Sequence, residues 1–310
     1  MPGKELPASR FLRTATCVEP PAAAGRKVFR ARDYDLAATL TSGQAFRWEA
    51  RGEGWVGVAH GRWVQLRQRG EKIVAKTAVP QSDWQWLADY LQVAVKLDDM
   101  LAAFPDDAPM RAAVNACRGL RLLRQDPWEC LASFILSSTK QIVQIRQIVA
   151  MLCERYGTPV AVPAREPTEF AFPTARRLAG LTEAQLRACK MGFRAPYLLA
   201  TAQWVAEGRC NLPDLGRLDL AAARAQLLAL PGVGHKIADC VLLFAGGFPT
   251  AFPLDVWVLR ALRELYFRGK RPTPERLKTF SATHFGPNAG YAQQYLFHFI
   301  RTKHPKNIFT

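Results

Sequence analysis

The chain has 310 residues, 49% hydrophobic and 22% charged, which is enough apolar material for a large core and argues against disorder. Its net charge of +16 and pI near 9.9 exclude a surface built to attract cations and point to polyanions, nucleic acid first. Seven cysteines, an odd number with no Cys-x-x-Cys, exclude a disulfide framework and a structural zinc site and predict a reduced, intracellular protein.

In chain order, residues 1–27 mix Pro, Ala, Gly and basic residues without periodicity, and we expect a flexible tail. Its start lacks a continuous apolar core, so a secretory signal is not predicted. Short β-rich runs follow: Val28–Ala31, Phe46–Trp48, Trp55–Val58, Trp63–Leu66 and Lys72–Ala75, separated by glycines at 52, 54, 61 and 70. They predict a twisted antiparallel sheet. Gln81–Val95 reads as a helix, with Trp84, Leu87 and Leu91 at helical spacing. Further helices are expected over Pro109–Cys117, Pro127–Ser137, Gln141–Tyr156, Glu183–Cys189, Ala195–Glu207, Val256–Phe267, Pro274–Phe285 and Ala289–Lys303. The fold class is therefore α+β: a sheet domain over residues 28–125, then a mostly helical domain over 126–310. No apolar run reaches about 18 residues, so no membrane span is predicted.

The most informative stretch lies between Ala221 and Leu259. A helix over Ala221–Leu230 is broken by Pro231-Gly232-Val233-Gly234, whose two glycines are expected at positive φ. A second helix restarts at His235 and is expected to run through Phe244. Such a hairpin turns backbone N–H groups outward at a helix N-terminus, where a phosphate can sit. Lys236 falls in the first turn, where the helix dipole disfavours an ammonium and favours a nucleophilic amine. Asp255, nineteen residues on, falls where the next helix begins. Taken singly, a lysine early in a helix is an ordinary solvated residue and such an aspartate an ordinary N-cap.

Together these residues resemble the helix–hairpin–helix DNA glycosylase superfamily, with the lysine of its bifunctional members. Three further stretches narrow the resemblance: Thr41–Trp48, the run from Gly119 to Cys130 ahead of Ser137-Ser138, and Gly286–Phe297. With the hairpin they resemble the eukaryotic-type 8-oxoguanine DNA glycosylase family over roughly residues 28–303. The resemblance implies a duplex containing oxidised guanine as partner, a base flipped out of the stack, and attack on the sugar by Lys236 to give a Schiff base. It implies Asp255 as the group that steadies positive charge on the sugar, and Cys240 and Phe297 as the walls that sandwich the base. It also implies Gln293 on the Watson–Crick edge and the Gly43 carbonyl on the N7–H that distinguishes the lesion from guanine. Gly232, Gly234 and His235 are expected at the DNA backbone. A monomer acting where the DNA is, in a bacterial cytoplasm or a nucleus, is expected, with no cofactor and no metal. No cysteine follows Cys240, so the iron–sulfur loop of some superfamily members is absent.

The chain departs from the family at the opposite strand. The family's three asparagines after the Ser-Ser pair are Thr139, Lys140 and Gln141 here. An arginine that reads the opposite cytosine aligns with Gln144, a tyrosine wedge with Phe193, and a histidine two after the aspartate with Trp257; the arginine after the wedge is retained as Arg194. Two other readings stand beside the leading one. Alkyl-purine glycosylases of the same superfamily generally lack the lysine, and a non-catalytic damage-binding protein would not require Lys236 and Asp255 together.

Overall fold

The computed structural model describes residues 24–138 and 140–304. Five antiparallel strands form the N-terminal sheet: β1 Gly25–Arg30, β2 Glu49–Arg51, β3 Gly54–Ala59, β4 Arg62–Arg69 and β5 Lys72–Thr77, in the order β1-β5-β4-β3-β2. Alternation fixes the inner face: Ile73, Ala75 and Thr77 of β5 are buried while Lys72 and Lys76 are exposed. β1 begins three residues before the expected Val28, because Gly25, Arg26 and Lys27 continue the ladder opposite Thr77, Lys76 and Ala75.

Two expectations fail between β1 and β2. α1, Leu36–Thr41, interrupts the sheet where no helix was expected. Asp35 caps it by accepting from the Ala38 N–H at 2.8 Å, and Leu36, Thr39 and Leu40 bury one face. Six residues are too few to show a helical period in sequence. Phe46–Trp48 is a loop and not a strand. Under the sheet, Trp48, Leu87, Tyr90 and Leu91 form a core with Leu40, Val64 and Ile73, and the Trp48 indole donates to Tyr90 Oη at 2.7 Å.

Three helices close the sheet half: α2 Gln85–Leu91, shorter than expected, α3 Leu97–Ala102, which was not expected, and α4 Ala108–Cys117. The helical half comprises α5 Pro127–Leu136, α6 Ile142–Tyr156, α7 Ala175–Ala179, α8 Glu183–Arg187, α9 Ala195–Ala206, α10 Leu220–Leu228, α11 His235–Val241, α12 Val256–Leu265, α13 Pro274–His284 and α14 Ala289–Lys303. The proline-rich connection after α6 carries a small ladder, β6 Pro159–Val160 against β7 Glu169–Phe170. α11 ends its regular geometry at Val241, short of Phe244, and widens into a π-type turn over Leu242–Gly246. That turn frees the Phe244 carbonyl to accept from the Gln125 N–H at 2.8 Å.

α14 is the strut of the molecule. It is buried on nearly every side and packs against α4 and α12. Tyr291 Oη accepts from the Leu122 N–H at 3.2 Å, Tyr295 Oη donates to the Leu120 carbonyl at 3.1 Å, and Gln294 Nε2 donates to the Ser42 carbonyl at 3.0 Å. No helix among the described residues is long and apolar enough to cross a membrane.

The loop after α1 is fastened by Gln44, which is fully buried. Its Nε2 donates to the carbonyls of Thr39 and Arg121 at 2.9 and 2.8 Å, and its Oε1 accepts from the Leu123 N–H at 2.8 Å. A buried group left without its partner costs about 1–3 kcal/mol. Gln44→Leu strands several and should destabilise the protein by about 3 kcal/mol or more, measured by denaturant unfolding. A loss under about 1 kcal/mol, within the range of a single hydrogen bond, would show that the loop is held by packing alone.

Candidate active site

The hairpin is built on α9. Thr201 Oγ1 donates to the Pro231 carbonyl at 2.8 Å, and the Tyr197 side chain lies under Gly232. Gly232 has φ +75°, and a Cβ there would sit 2.6 Å from Tyr197 Cβ, so both the conformation and the contact demand glycine. Val233, buried, plugs the turn into the core. Gly234 departs from expectation: its φ is −97°, an ordinary extended value. A Cβ on Gly234 would meet nothing within 4 Å, and no side chain caps the first turn of α11. Those N–H groups are therefore directed at whatever approaches from outside. His235 beside them is exposed.

Lys236 projects from that first turn to the end of α5. Its Nζ donates to Ser137 Oγ at 2.6 Å and lies 5.2 Å from the Phe134 ring centroid. Ser137 Oγ in turn donates to the Phe134 carbonyl at 2.7 Å, which fixes the hydroxyl's orientation. Asp255 caps α12, its Oδ1 accepting from the N–H groups of Trp257 and Val258 at 3.0 and 2.8 Å. Burial raises the Asp255 carboxyl above the ordinary carboxylate range, against the pull of the Val258 N–H, the Lys236 cation, the Trp257 N–H and Arg301. Cys240, one turn beyond Lys236, is buried, and burial pushes its thiol up to about 12, with Lys236 pulling down and Asp255 pushing up. A neutral thiol is a small soft wall and a poor nucleophile.

The other side of the site comes from α14 and the α1 loop. Gln293 and Phe297 are buried, one turn apart, and Gln293 Oε1 is buried without a hydrogen-bond partner among the described residues. Gly43 has φ +81°; a Cβ there would lie 2.8 Å from Ile142 Cδ1, 3.3 Å from Phe297 Cε1 and 3.3 Å from Arg301 Nη1. A side chain at position 43 would fill the space in front of Phe297. The structure thus places Lys236, Asp255 and Cys240 together, and Gly43 against Phe297. Arg301 belongs to both sets, touching the Gly43 position and acting electrostatically on Asp255.

The residues aligned with opposite-strand readers are more dispersed. Thr139 lies outside the described residues. Lys140 is partly exposed, and Trp257 is half-buried with Arg260 5.8 Å from its ring. Gln144 is exposed, but its Oε1 accepts from the Gln141 N–H at 3.1 Å and so closes the first turn of α6. Phe193 is 56% exposed, whereas Arg194 is buried with its guanidinium 4.3 Å from the Phe193 centroid. Sequence reasoning did not single out Phe134, Ser137 as the Lys236 partner, Tyr197 or Arg301. Only Arg301 had a local signal, its spacing of four from Phe297 on α14.

A glycine hairpin feeding a helix-borne lysine that faces a helix-capping aspartate defines a helix–hairpin–helix base-excision protein. Comparison with known proteins agrees. Residues 28–131 match the N-terminal domain model of 8-oxoguanine DNA glycosylase, and residues 132–285 match the HhH-GPD superfamily of base excision DNA repair proteins. The chain is 32% identical over 285 residues to N-glycosylase/DNA lyase OGG1 of Arabidopsis thaliana, covering 86% of this chain and 77% of that one. It is 30% identical over 244 residues to a probable N-glycosylase/DNA lyase of Methanothermobacter thermautotrophicus, covering 72% and 77%. Among solved structures, the 8-oxoguanine glycosylase/lyase of Clostridium acetobutylicum, bound to DNA with cytosine opposite 8-oxoguanine, superposes with a TM-score of 0.83 at 29% identity, over 88% of this chain and 93% of that one. The chain belongs to the 8-oxoguanine DNA glycosylase family.

The hairpin geometry separates two kinds of glycine. Gly234→Leu should leave thermal stability nearly unchanged, since its side chain enters open space, yet weaken duplex binding; unchanged affinity would remove the hairpin from the interface. Gly232→Ala should destabilise the DNA-free protein by about 1–3 kcal/mol through its positive φ. Wild-type affinity, read by fluorescence anisotropy, should fall steeply from low to moderate salt as counterions are released.

Proposed function

We propose that this chain flips an oxidised guanine from duplex DNA, excises it through Lys236 and then nicks the strand. The observation that carries the reading is Lys236 Nζ held 2.6 Å from Ser137 Oγ, in a partly buried site that also contains Asp255 and the buried Cys240. In the reaction the deprotonated amine attacks C1′, the C1′–N9 bond breaks, and its electron pair leaves with the base. The attacking nitrogen loses a proton, the C1′–O4′ bond then opens with O4′ taking up a proton, and the resulting iminium is a Schiff base between Lys236 and the ring-opened sugar. It acidifies the C2′ proton, whose removal expels the 3′ phosphate. Asp255, with its raised carboxyl, suits both the uptake of the Lys236 proton and the steadying of positive charge on the sugar.

The lesion's chemistry fits the opposite wall. An oxidised guanine offers N–H donors on its Watson–Crick edge, and Gln293 Oε1 is an acceptor in need of one. At N7 guanine presents an acceptor; 8-oxoguanine presents N–H, which the Gly43 carbonyl accepts. Phe297 and the neutral Cys240 supply the two faces of the sandwich.

Lys236→Gln should abolish strand nicking and borohydride trapping while lesion binding persists; undiminished trapping would remove Lys236 from the mechanism. Asp255→Asn should slow excision on the order of 10²–10⁴-fold with the fold intact. Because burial raises the Asp255 carboxyl, the protonated, inactive form persists to higher pH than for an ordinary aspartate. Excision should therefore rise with pH along an acid limb displaced upward, and that limb should vanish in Asp255→Asn.

Opposite-base preference should be relaxed. Gln144 cannot offer a planar charged fork, and its Oε1 is engaged with Gln141. A lost bidentate contact removes about 1–3 kcal/mol of discrimination, roughly tenfold or more. Lys140 restores charge without the fork. Single-turnover excision from four duplexes differing only in the opposite base measures this. Exclusive use of cytosine would contradict it and turn attention to Arg194 and Lys140.

A further inference from the structure

α14 carries a third residue in line with Gln293 and Phe297. Arg301 lies four residues past Phe297, so the three side chains form one stripe along the helix. Its guanidinium is 5.1 Å from the Phe297 centroid, and Nη1 is 3.3 Å from the place a Gly43 Cβ would occupy. It makes no salt bridge and no hydrogen bond to another described residue. Asp255 and Arg146 are the charges that act on it. An uncommitted, largely desolvated guanidinium thus stands where Gly43 and Phe297 meet.

The base assigned to that place has matching needs. An oxidised guanine carries carbonyl oxygens at C6 and C8, one on each side of N7. Once N7–H is given to Gly43, these oxygens still lose water on entering the pocket and need donors. Gln293 serves the opposite edge. As the C1′–N9 bond breaks, its electron pair enters the purine and is delocalised onto these oxygens. A cationic donor already in position would stabilise that charge without reorganising. Arginine suits the task, since it stays charged and lies flat on an aromatic ring.

We propose that Arg301 is a further base-recognition residue, donating from its guanidinium to a carbonyl oxygen beside N7 of the flipped oxidised guanine and stabilising that oxygen as the base departs. The proposal rests on the reading of Gly43 and Phe297 as the base pocket. It assigns Arg301 to the step in which the base is present and to no later step.

The test uses two duplexes of one sequence, one containing 8-oxoguanine opposite cytosine and one a preformed abasic site, under single-turnover conditions. Arg301→Gln should slow base excision by about tenfold or more, while nicking at the abasic site stays within about twofold of wild type. Arg301→Lys keeps the charge and should lie between the two; if Arg301→Gln does not fold, the same pair of rates is read on the lysine variant. Normal abasic nicking also reports an intact fold. Excision within about twofold of wild type in Arg301→Gln would overturn the proposal. A parallel fall on both duplexes would overturn it too, because Arg301 would then act through Asp255 or the DNA backbone. Wild-type protein inactive on 8-oxoguanine but active on the abasic duplex would instead overturn the base-pocket reading beneath it.

Discussion

The hydrogen bond from Gln294 Nε2 to the Ser42 carbonyl joins residues 252 positions apart in sequence, and the base-pocket side of the site depends on it. It ties the buried helix that carries Gln293 and Phe297 to the loop that carries Gly43. The carbonyls on either side of Gly43 are both engaged internally, Ser42 by Gln294 and Gln44 by Gln125 Nε2 at 2.7 Å. The loop is thereby pinned on both sides of Gly43, although it has no ladder. The role proposed for the Gly43 carbonyl, separating two purines by the proton on one nitrogen, would require that a carbonyl there neither retreat nor rotate. The buried amides of Gln44, Gln125 and Gln294 supply the pinning, and each is costly to leave unpaired.

The chemical side of the site is governed by opposing electrostatic effects on two helix starts. Lys236 and Asp255 each sit at a helix N-terminus, and for Asp255 the dipole there favours the anion. For Asp255, burial nevertheless outweighs the cap hydrogen bonds and the nearby cations, and its carboxyl is raised. The Asp255 cap uses Oδ1 alone, so structural and chemical roles can divide between its two oxygens. Lys236 is steered by contacts at its tip, Ser137 and the face of Phe134, and these orient the amine before substrate arrives. A nearby Cys240 thiolate would compete as a nucleophile; burial keeps it protonated.

What the sequence revealed and what it concealed follow the range of the interactions. The glycine hairpin, the lysine after it and the capping aspartate are local patterns, and they appear in the structure where the sequence puts them. α14 matches the expected Ala289–Lys303 because its apolar content is continuous. α1 escaped notice since its six residues are specified by one cap and by burial beneath β4 and β5. The positive φ expected of Gly234 was misjudged: the turn needs one left-handed residue, and Gly232 supplies it over Tyr197. Gln44 and Arg301 were illegible for a different reason. Their roles come chiefly from contacts with residues tens to hundreds of positions away, and the one local sign, the spacing of four between Arg301 and Phe297, does not distinguish a site residue from a packed one.

The net charge explains attraction to DNA but not where on the surface the DNA sits. Three helix N-termini offer a candidate place. Ile142 at the start of α6 touches the Gly43 position, Gly43 adjoins Arg301, Arg301 acts on Asp255 at the start of α12, and Lys236 at the start of α11 acts on Asp255 as well. α6, α11 and α12 therefore begin around one opening, each with first-turn N–H groups and a positive dipole end. Val143 and Val256, in the first turns of α6 and α12, are 50% and 75% exposed, so apolar side chains stand in water beside that same opening. Backbone dipoles do not depend on which side chains flank them. That independence accounts for how the chain can keep its hairpin, lysine and aspartate while the side chains aligned with opposite-strand readers have changed to Gln144, Phe193 and Trp257. On the function proposed above, gripping the lesion strand falls to backbone groups and reading its partner to side chains, so changes such as those at Gln144 and Phe193 alter only the second.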